Sequence, residues 1–358
     1  PVSSAFGFLK FLTNRGQKIP KCSRPTLDET IDEHYCYRDT RTPAPHHTSA
    51  SSNIHTFQTF FEHFISLIQT FISLYTPTPS NTMSTSTSAT QQYQIFVPGR
   101  VCLFGEHSDW AGGNERKLNP TIAAGRTIVV GTNQGLHASC AHHPSLFTVT
   151  SKDESGVTHG PYSIPMTASA LLVGARNPDE FFRYACGVGY HMLINYRVGG
   201  LVIDNHLTDL PLGKGLSSSA AFCVLVARAF SRVYDLKMTT RGEMDCAYVG
   251  ERLTPSKCGR MDQACAFGSR PVLMEYDGDF MSVVPITIPK PLHLCIVDLC
   301  ANPPKDTTTI LQGLQSCYRP EHPTPDQQRV RDALGKDNLT LTKQATALME
   351  QGDYKGKW

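Results

Sequence analysis

At 358 residues the chain is long enough for one large domain or two ordinary ones, each with a substantial core. A hydrophobic content of 40% is low for a chain that folds throughout, so part of it is expected to stay unfolded. The formal charge of +2 gives no electrostatic case for nucleic acid or an anionic membrane, and twelve scattered cysteines without a CxxC pair read as buried thiols of a reducing, cytoplasmic compartment rather than as disulfides or a zinc site.

Residues 1–92 do not read as a domain. Ser, Thr, Pro and His dominate 42–55 and again 76–90 without sustained periodicity. Residue 1 is proline and the first methionine is Met83, so a start at Met83 is expected, with 1–92 a disordered or spurious extension. Within it, Phe57, Phe60, Phe61, Phe64, Ile68, Phe71, Ile72 and Tyr75 share one helical face. Gln58, Glu62, His63 and Gln69 interrupt that run, which argues against a membrane span in favour of a surface-bound amphipathic helix or a stretch with no role. It also lacks the basic start and small-residue cleavage site of a signal peptide.

Order is expected from Tyr93. Residues 94–104 read as strand, turn at Pro98-Gly99, strand. A loop follows over 105–113 in which Glu106, His107 and Asp109 sit between glycines, a set suited to paired hydrogen bonds with a polyol but equally to a solvated turn. Strands are expected at 127–131, 137–139 and 147–150, and then a helix from Asn177-Pro178 to about Asn195. After a strand at 201–203 and a helix over 222–234, a capping box at Thr240-Arg241-Gly242-Glu243 opens a helix to about Leu253 that carries Glu251 near its end. Three strands, 271–276, 280–286 and 292–299, precede helical patterns at 308–317, 326–334 and 341–351.

The stretch Pro211-Leu212-Gly213-Lys214-Gly215-Leu216-Ser217-Ser218-Ser219-Ala220-Ala221 joins the apolar strand 201–203 to the amphipathic helix after it. Two glycines and three serines at a helix N-terminus present backbone N–H groups and hydroxyls together with the positive end of the helix dipole, which suits a phosphate. It is not a Walker A loop, because no Gly-Lys-Ser/Thr occurs at the required spacing. Taken singly, Asp262 reads equally well as a helix cap, Glu251 as an exposed residue paired with Arg252, and Arg100 as a strand-end charge. Their order along the chain carries the argument.

In combination these stretches resemble the GHMP kinases. Pro98-Gly99-Arg100-Val101-Cys102-Leu103-Phe104-Gly105-Glu106-His107-Ser108-Asp109 looks most like the galactokinase opening motif. Residues 211–221 are similar to the second motif of the superfamily, and Cys258-Gly259-Arg260-Met261-Asp262-Gln263 to the galactokinase Cys-Gly-x-Met-Asp-Gln. The resemblance covers about residues 95–307. It implies an α+β fold: a GHMP kinase N-terminal domain, ribosomal protein S5 domain 2-like, over 93–287, and the beginning of an incomplete C-terminal α+β domain over 288–358.

It also implies an activity, the ATP-dependent phosphorylation of a sugar hydroxyl, with galactose or a related sugar as the first expectation. Gly213, Gly215, Leu216, Ser217, Ser218, Ser219 and Ala220 would wrap the ATP phosphates, and Ser218 with Glu251 would hold Mg²⁺. Asp262 would take or orient the proton of the attacking hydroxyl. Arg100 would lie beside it and offset charge on the transferring phosphoryl group. Glu106, His107, Asp109 and Asp262 would bind the sugar, with Gly259 letting its ring approach the backbone. The expected partners are thus a small-molecule sugar and ATP, without nucleic acid or a membrane span; nothing in the sequence speaks to an oligomeric state.

Four departures from the family pattern stand out. Glu251 to Cys258 is one residue shorter than in typical galactokinases, Trp110 replaces a usual tyrosine, and Lys214 sits where a small residue is common. The third motif of the superfamily, a glycine-rich loop, is not found, so a C-terminally truncated chain is expected. Two rivals stay open: a mevalonate-type kinase of the same fold, and a sensor or inactive fragment that binds sugar and ATP without turnover.

Overall fold

The computed structural model describes residues 91–211, 213–256, 258–297 and 307–354. The amphipathic 57–75 segment, Met83, Leu212 and the end of the 292–299 segment lie outside the described residues.

A seven-stranded mixed sheet organises the chain. Its strands are β1 (Gln92–Phe104), β2 (Gly125–His143), β3 (Leu146–Lys152), β4 (Thr158–Pro165), β5 (Gly200–Thr208), β6 (Val272–Asp277) and β7 (Phe280–Pro285). The order β4-β3-β5-β2-β6-β7 is antiparallel except for the β3–β5 pair. β1 runs antiparallel to nearly the whole length of β2. β2 also pairs with β5 through its C-terminal half and with β6 through its N-terminal half. At 19 residues it is the spine of the sheet.

Helices cover both faces. α1 (Ala168–Arg176), α2 (Arg183–Asn195), α3 (Ser218–Val233) and α4 (Thr240–Arg252) come before β6; α5 (Thr307–Ser316), α6 (Pro325–Leu334) and α7 (Lys336–Gln351) come after β7. Alternation along the strands divides the two cores, as a pleated sheet requires. Val129, Val272 and Met274 pack with α2, α3 and α4, whereas the neighbouring Ile128 and Leu273 pack with Ala345 and Met349 of α7. α3 is held because Ala220, Ala221, Val224, Leu225, Ala227 and Phe230 form one fully buried stripe, with Phe230 stacked on Phe147 of β3. A third, smaller cluster joins Trp110, Ala111 and Ile122 to Tyr318, with residues of α5 and α6 around it.

Several sequence expectations are corrected. Pro98-Gly99 is not a turn: β1 continues through it with a shift of register against β2. Gly99 is needed there because a Cβ would fall 2.5 Å from Leu210 Cδ1 and 3.0 Å from the Leu216 carbonyl. The strands expected at 127–131 and 137–139 are one, carried past Gly131 and Gly135 by the bulge opposite Gly99. Asn177-Pro178 forms a turn, and α2 begins only at Arg183. The cap of α4 is Thr239, whose hydroxyl accepts from Gly242 N at 3.1 Å; Glu243 turns instead to Arg228 at 2.8 Å. Residues 292–297 form no strand despite their apolar run, and β4 and α1 were not expected at all.

Candidate active site

Arg100 leaves β1 directly beneath the N-terminus of α3. Its backbone N–H donates to Leu216 O at 3.0 Å, which fastens the glycine-serine loop to the strand through the space Gly99 leaves. Arg100 is 5% exposed, and a buried guanidinium requires anionic partners. It has two. Nε donates to Asp262 Oδ1 at 3.0 Å and Nη2 also reaches that oxygen, while Nη1 donates to Glu106 Oε2 at 3.2 Å.

Asp262 opens a short 3-10 helix (Asp262–Phe267). The third group on its Oδ1 is the Ser217 hydroxyl, which donates at 3.1 Å. Three donors on one oxygen fix the carboxylate. The helix-cap reading of Asp262 fails, because the element has no side-chain cap hydrogen bond.

Ser217 occupies the N-cap of α3 in the left-handed region, at φ 58° and ψ 45°. The first intrahelical bond of α3 runs from Ala221 N to Ser217 O at 2.9 Å, so the amides of Ser218, Ser219 and Ala220 precede it. The methyl of Ala220 is buried in the core while its amide stays in that first turn. Gly213 and Gly215 both adopt positive φ, 68° and 79°, and a Cβ on either would meet nothing within 4 Å. The loop therefore rims open space, with Lys214 exposed between its glycines and Leu216 buried beneath it.

Glu251, near the C-terminus of α4, is 1% exposed. Its Oε1 accepts from the Ser219 hydroxyl at 3.0 Å and its Oε2 from Gln263 Nε2 at 2.7 Å. Burial pushes its carboxyl up to about 7, the charge of Asp262 adds to that, and the bonds from Gln263 and Ser219 oppose it. Such a carboxylate gains from a cation beside it. The hydroxyl that reaches Glu251 is that of Ser219, with Ser218 next to it at the start of the helix. Carboxylate and hydroxyl oxygens are the hard donors Mg²⁺ takes, and they fit it. Among the described residues no group of three or more His, Cys, Asp and Glu side chains converges to cage an ion.

Glu106, His107 and Asp109 follow β1. Glu106 is half exposed and tied to Arg100. His107 stands at φ 70°, before a helical turn (Ser108–Trp110) and a π-helical turn (Ala111–Glu115), so the loop is more ordered than its composition suggests. Asp109 is 5% exposed and its Oδ2 accepts from Met261 N at 3.2 Å. Burial, reinforced by the charge of Asp262, pushes its carboxyl up to about 6. A Cβ on Gly259 would lie 1.7 Å from Asp109 Oδ2, so glycine at 259 lets Asp109 sit against the Cys258–Asp262 turn.

All three motifs thus converge: Arg100 and Glu106 from the first, Ser217 and Ser219 from the second, Asp262 from the third, with Glu251 behind. The motif alone assigns Gln263 no role, although its amide donates to Glu251. Only its place beside Asp262 could have pointed to it. Trp110 packs edge-on against Tyr318 at 5.4 Å, which makes it a foundation of the loop rather than a group facing it.

A mixed sheet with helices on both faces, and a serine-rich helix N-terminus beside an Arg–Asp pair, makes this an α+β domain. Residues 184–269 match the family model described as GHMP kinases N terminal domain. Over those residues the chain is similar to the N-terminal domain of the GHMP kinases. It is similar to the galactokinase of Actinobacillus succinogenes, 28% identical over 58% of this chain and 52% of that protein. It is also similar to the galactokinase of Haemophilus influenzae, 27% identical over 60% of this chain and 51% of that one. The chain spans about half the length of the curated relatives it matches. In fold it is similar to the Lin0012 protein of Listeria innocua, with a TM-score of 0.53, 14% identity and 74% of each chain covered.

Proposed function

We propose that this chain binds ATP with Mg²⁺ and a sugar, and transfers the terminal phosphoryl group to a sugar hydroxyl. The observation that carries the reading is the junction of Arg100, Ser217 and Asp262 at the mouth of α3. The amides of Ser218, Ser219 and Ala220 and the rim of Gly213, Gly215 and Leu216 would receive the phosphates. Glu251 with Ser218 or Ser219 would hold Mg²⁺, which when bound neutralises charge on the polyphosphate.

Asp262 accepts the proton of the attacking hydroxyl at Oδ2 and aims that oxygen at phosphorus. Arg100 keeps the carboxylate in place and faces the charge that spreads over the phosphoryl oxygens. Glu106, His107 and Asp109 bind the other hydroxyls of the sugar, and the bare backbone of Gly259 keeps Asp109 close to the same turn. A second carboxylate in the substrate loop favours a polyol over an apolar acid such as mevalonate.

Galactose or a close relative is the first candidate, on the similarity to galactokinases. The cysteines among the described residues are all free. No helix among the described residues is long and apolar enough to cross a membrane. ADP formation measured against a panel of hexoses and mevalonate tests the proposal. Turnover confined to sugars supports it. Turnover with mevalonate alone, or tight sugar and ATP binding without ADP, refutes it.

A further inference from the structure

The loop from Gly105 to Asp109 has a backbone that does not hold itself. A non-glycine residue in the left-handed region, as His107 is, persists only where its surroundings over-determine it. The surroundings here are a buried polar node centred on Ser108. Its N–H donates to Gly105 O at 2.9 Å, and its hydroxyl accepts from Arg126 N at 2.9 Å, at the start of β2.

The node closes from far along the chain. Asn338, in the first turn of α7, donates through Nδ2 to Ser108 Oγ at 3.0 Å and to Arg126 O at 2.7 Å. Ser108 is 0% and Asn338 6% exposed, so water has little access to either partner. The fit is close: a Cβ on Gly105 would lie 2.1 Å from Arg126 O and 3.1 Å from Asn338 Oδ1. α7 is itself fixed on the sheet through Ala345 and Met349, which pack with Ile128 and Ile286. Asn338 touches none of the groups assigned to substrate. It touches the residue between two of them.

We infer that Asn338 is a positioning residue for the substrate loop, clamping Ser108 to β2 and thereby holding His107 and Asp109 in their binding orientation. The inference rests on the reading of that loop as sugar-binding. An asparagine is suited to the task because one amide nitrogen supplies both protons, to a hydroxyl and to a carbonyl. Removing it leaves two buried acceptors short of a donor.

The test uses the full chain and the variants Asn338→Ala, Ser108→Ala and their combination. Hydrogen exchange without ligand reads the clamp, and calorimetry with galactose and with Mg·ADP reads its consequence. In Asn338→Ala, exchange across 105–110 should rise about tenfold or more while the start of α3 is unchanged. Galactose should bind about tenfold more weakly, with Mg·ADP within about twofold of the parent. The double variant should lose less than the sum of the two single losses, since the Asn338–Ser108 bond is removed by either change. Should Asn338→Ala fail to fold, Ser108→Ala leaves α7 intact and carries the same readouts. Unchanged exchange over 105–110, equal weakening of both ligands, or additive losses in the double variant would overturn the inference. A parent chain that binds no sugar sinks the sugar reading, and the exchange arm still decides whether Asn338 orders the loop.

Discussion

Replacing Asp109 by asparagine should make the protein more stable near neutral pH while it loses sugar. The carboxyl is 5% exposed and faces the negative charge of Asp262, so its pKa rises from 3.8 to about 6 on folding. A group whose folded pKa is raised favours the folded state at low pH and opposes it at high pH. The cost is absent below 3.8, grows between 3.8 and 6, and is complete above 6. A shift of about two units corresponds to about 3 kcal/mol at pH 7. Asparagine keeps an acceptor for Met261 N–H but carries no charge; it must bury its amide protons as well, so about 3 kcal/mol is an upper bound. The pH dependence is independent of that offset. Linkage gives a gap between variant and parent that narrows by about 1 kcal/mol from pH 7 to pH 5. Urea denaturation of both proteins across that range measures it directly. A gap that stays constant, or widens as the pH falls, would refute the burial argument.

Three further outcomes follow from the geometry. Gly259→Ala should displace Asp109, because the new methyl would overlap its carboxylate, and should weaken sugar binding with little change in nucleotide affinity; calorimetry with both ligands checks this. Arg100→Lys should cut turnover by about 10²-fold, since one ammonium cannot serve Asp262 and Glu106 at once, and steady-state kinetics will show whether it does. Gln263→Leu should raise the Mg²⁺ concentration needed for nucleotide binding several-fold by freeing Glu251 from its orienting amide, which a Mg²⁺ titration of ATP affinity reads out.

Much of the site was legible because its chemistry is local. Glycines and serines before an apolar helix stand in eleven consecutive residues, and the structure places that helix at Ser218–Val233. In the structure Arg100 bonds Asp262, whose other donor is Ser217, and Glu251 bonds the nearby Ser219. What the sequence concealed depends on partners far away. Pro98-Gly99 carries the signature of a turn, yet glycine serves there to admit Leu210 and Leu216, 111 and 117 residues on. The polar Gly131–Gly135 stretch looks like a break, but Gly268 O takes the N–H of Gly131 and Asp209 that of Gly135, so β2 runs on. Residues 292–297 have the composition of a strand and no described neighbour to pair with. Asn338 gave no signal at all, for a polar residue in the first turn of a helix is ordinary until its amide is seen to meet Ser108.

The account stands on Asp262 acting as the group that receives the hydroxyl proton at the mouth of α3. Asp262→Ala, assayed for ADP formation at saturating sugar and Mg·ATP with nucleotide affinity measured in parallel, tests this most directly. The expected result is a fall in turnover of about 10²–10⁴-fold with nucleotide affinity nearly unchanged. Turnover close to that of the parent would remove Asp262 from the chemistry and the proposed mechanism with it.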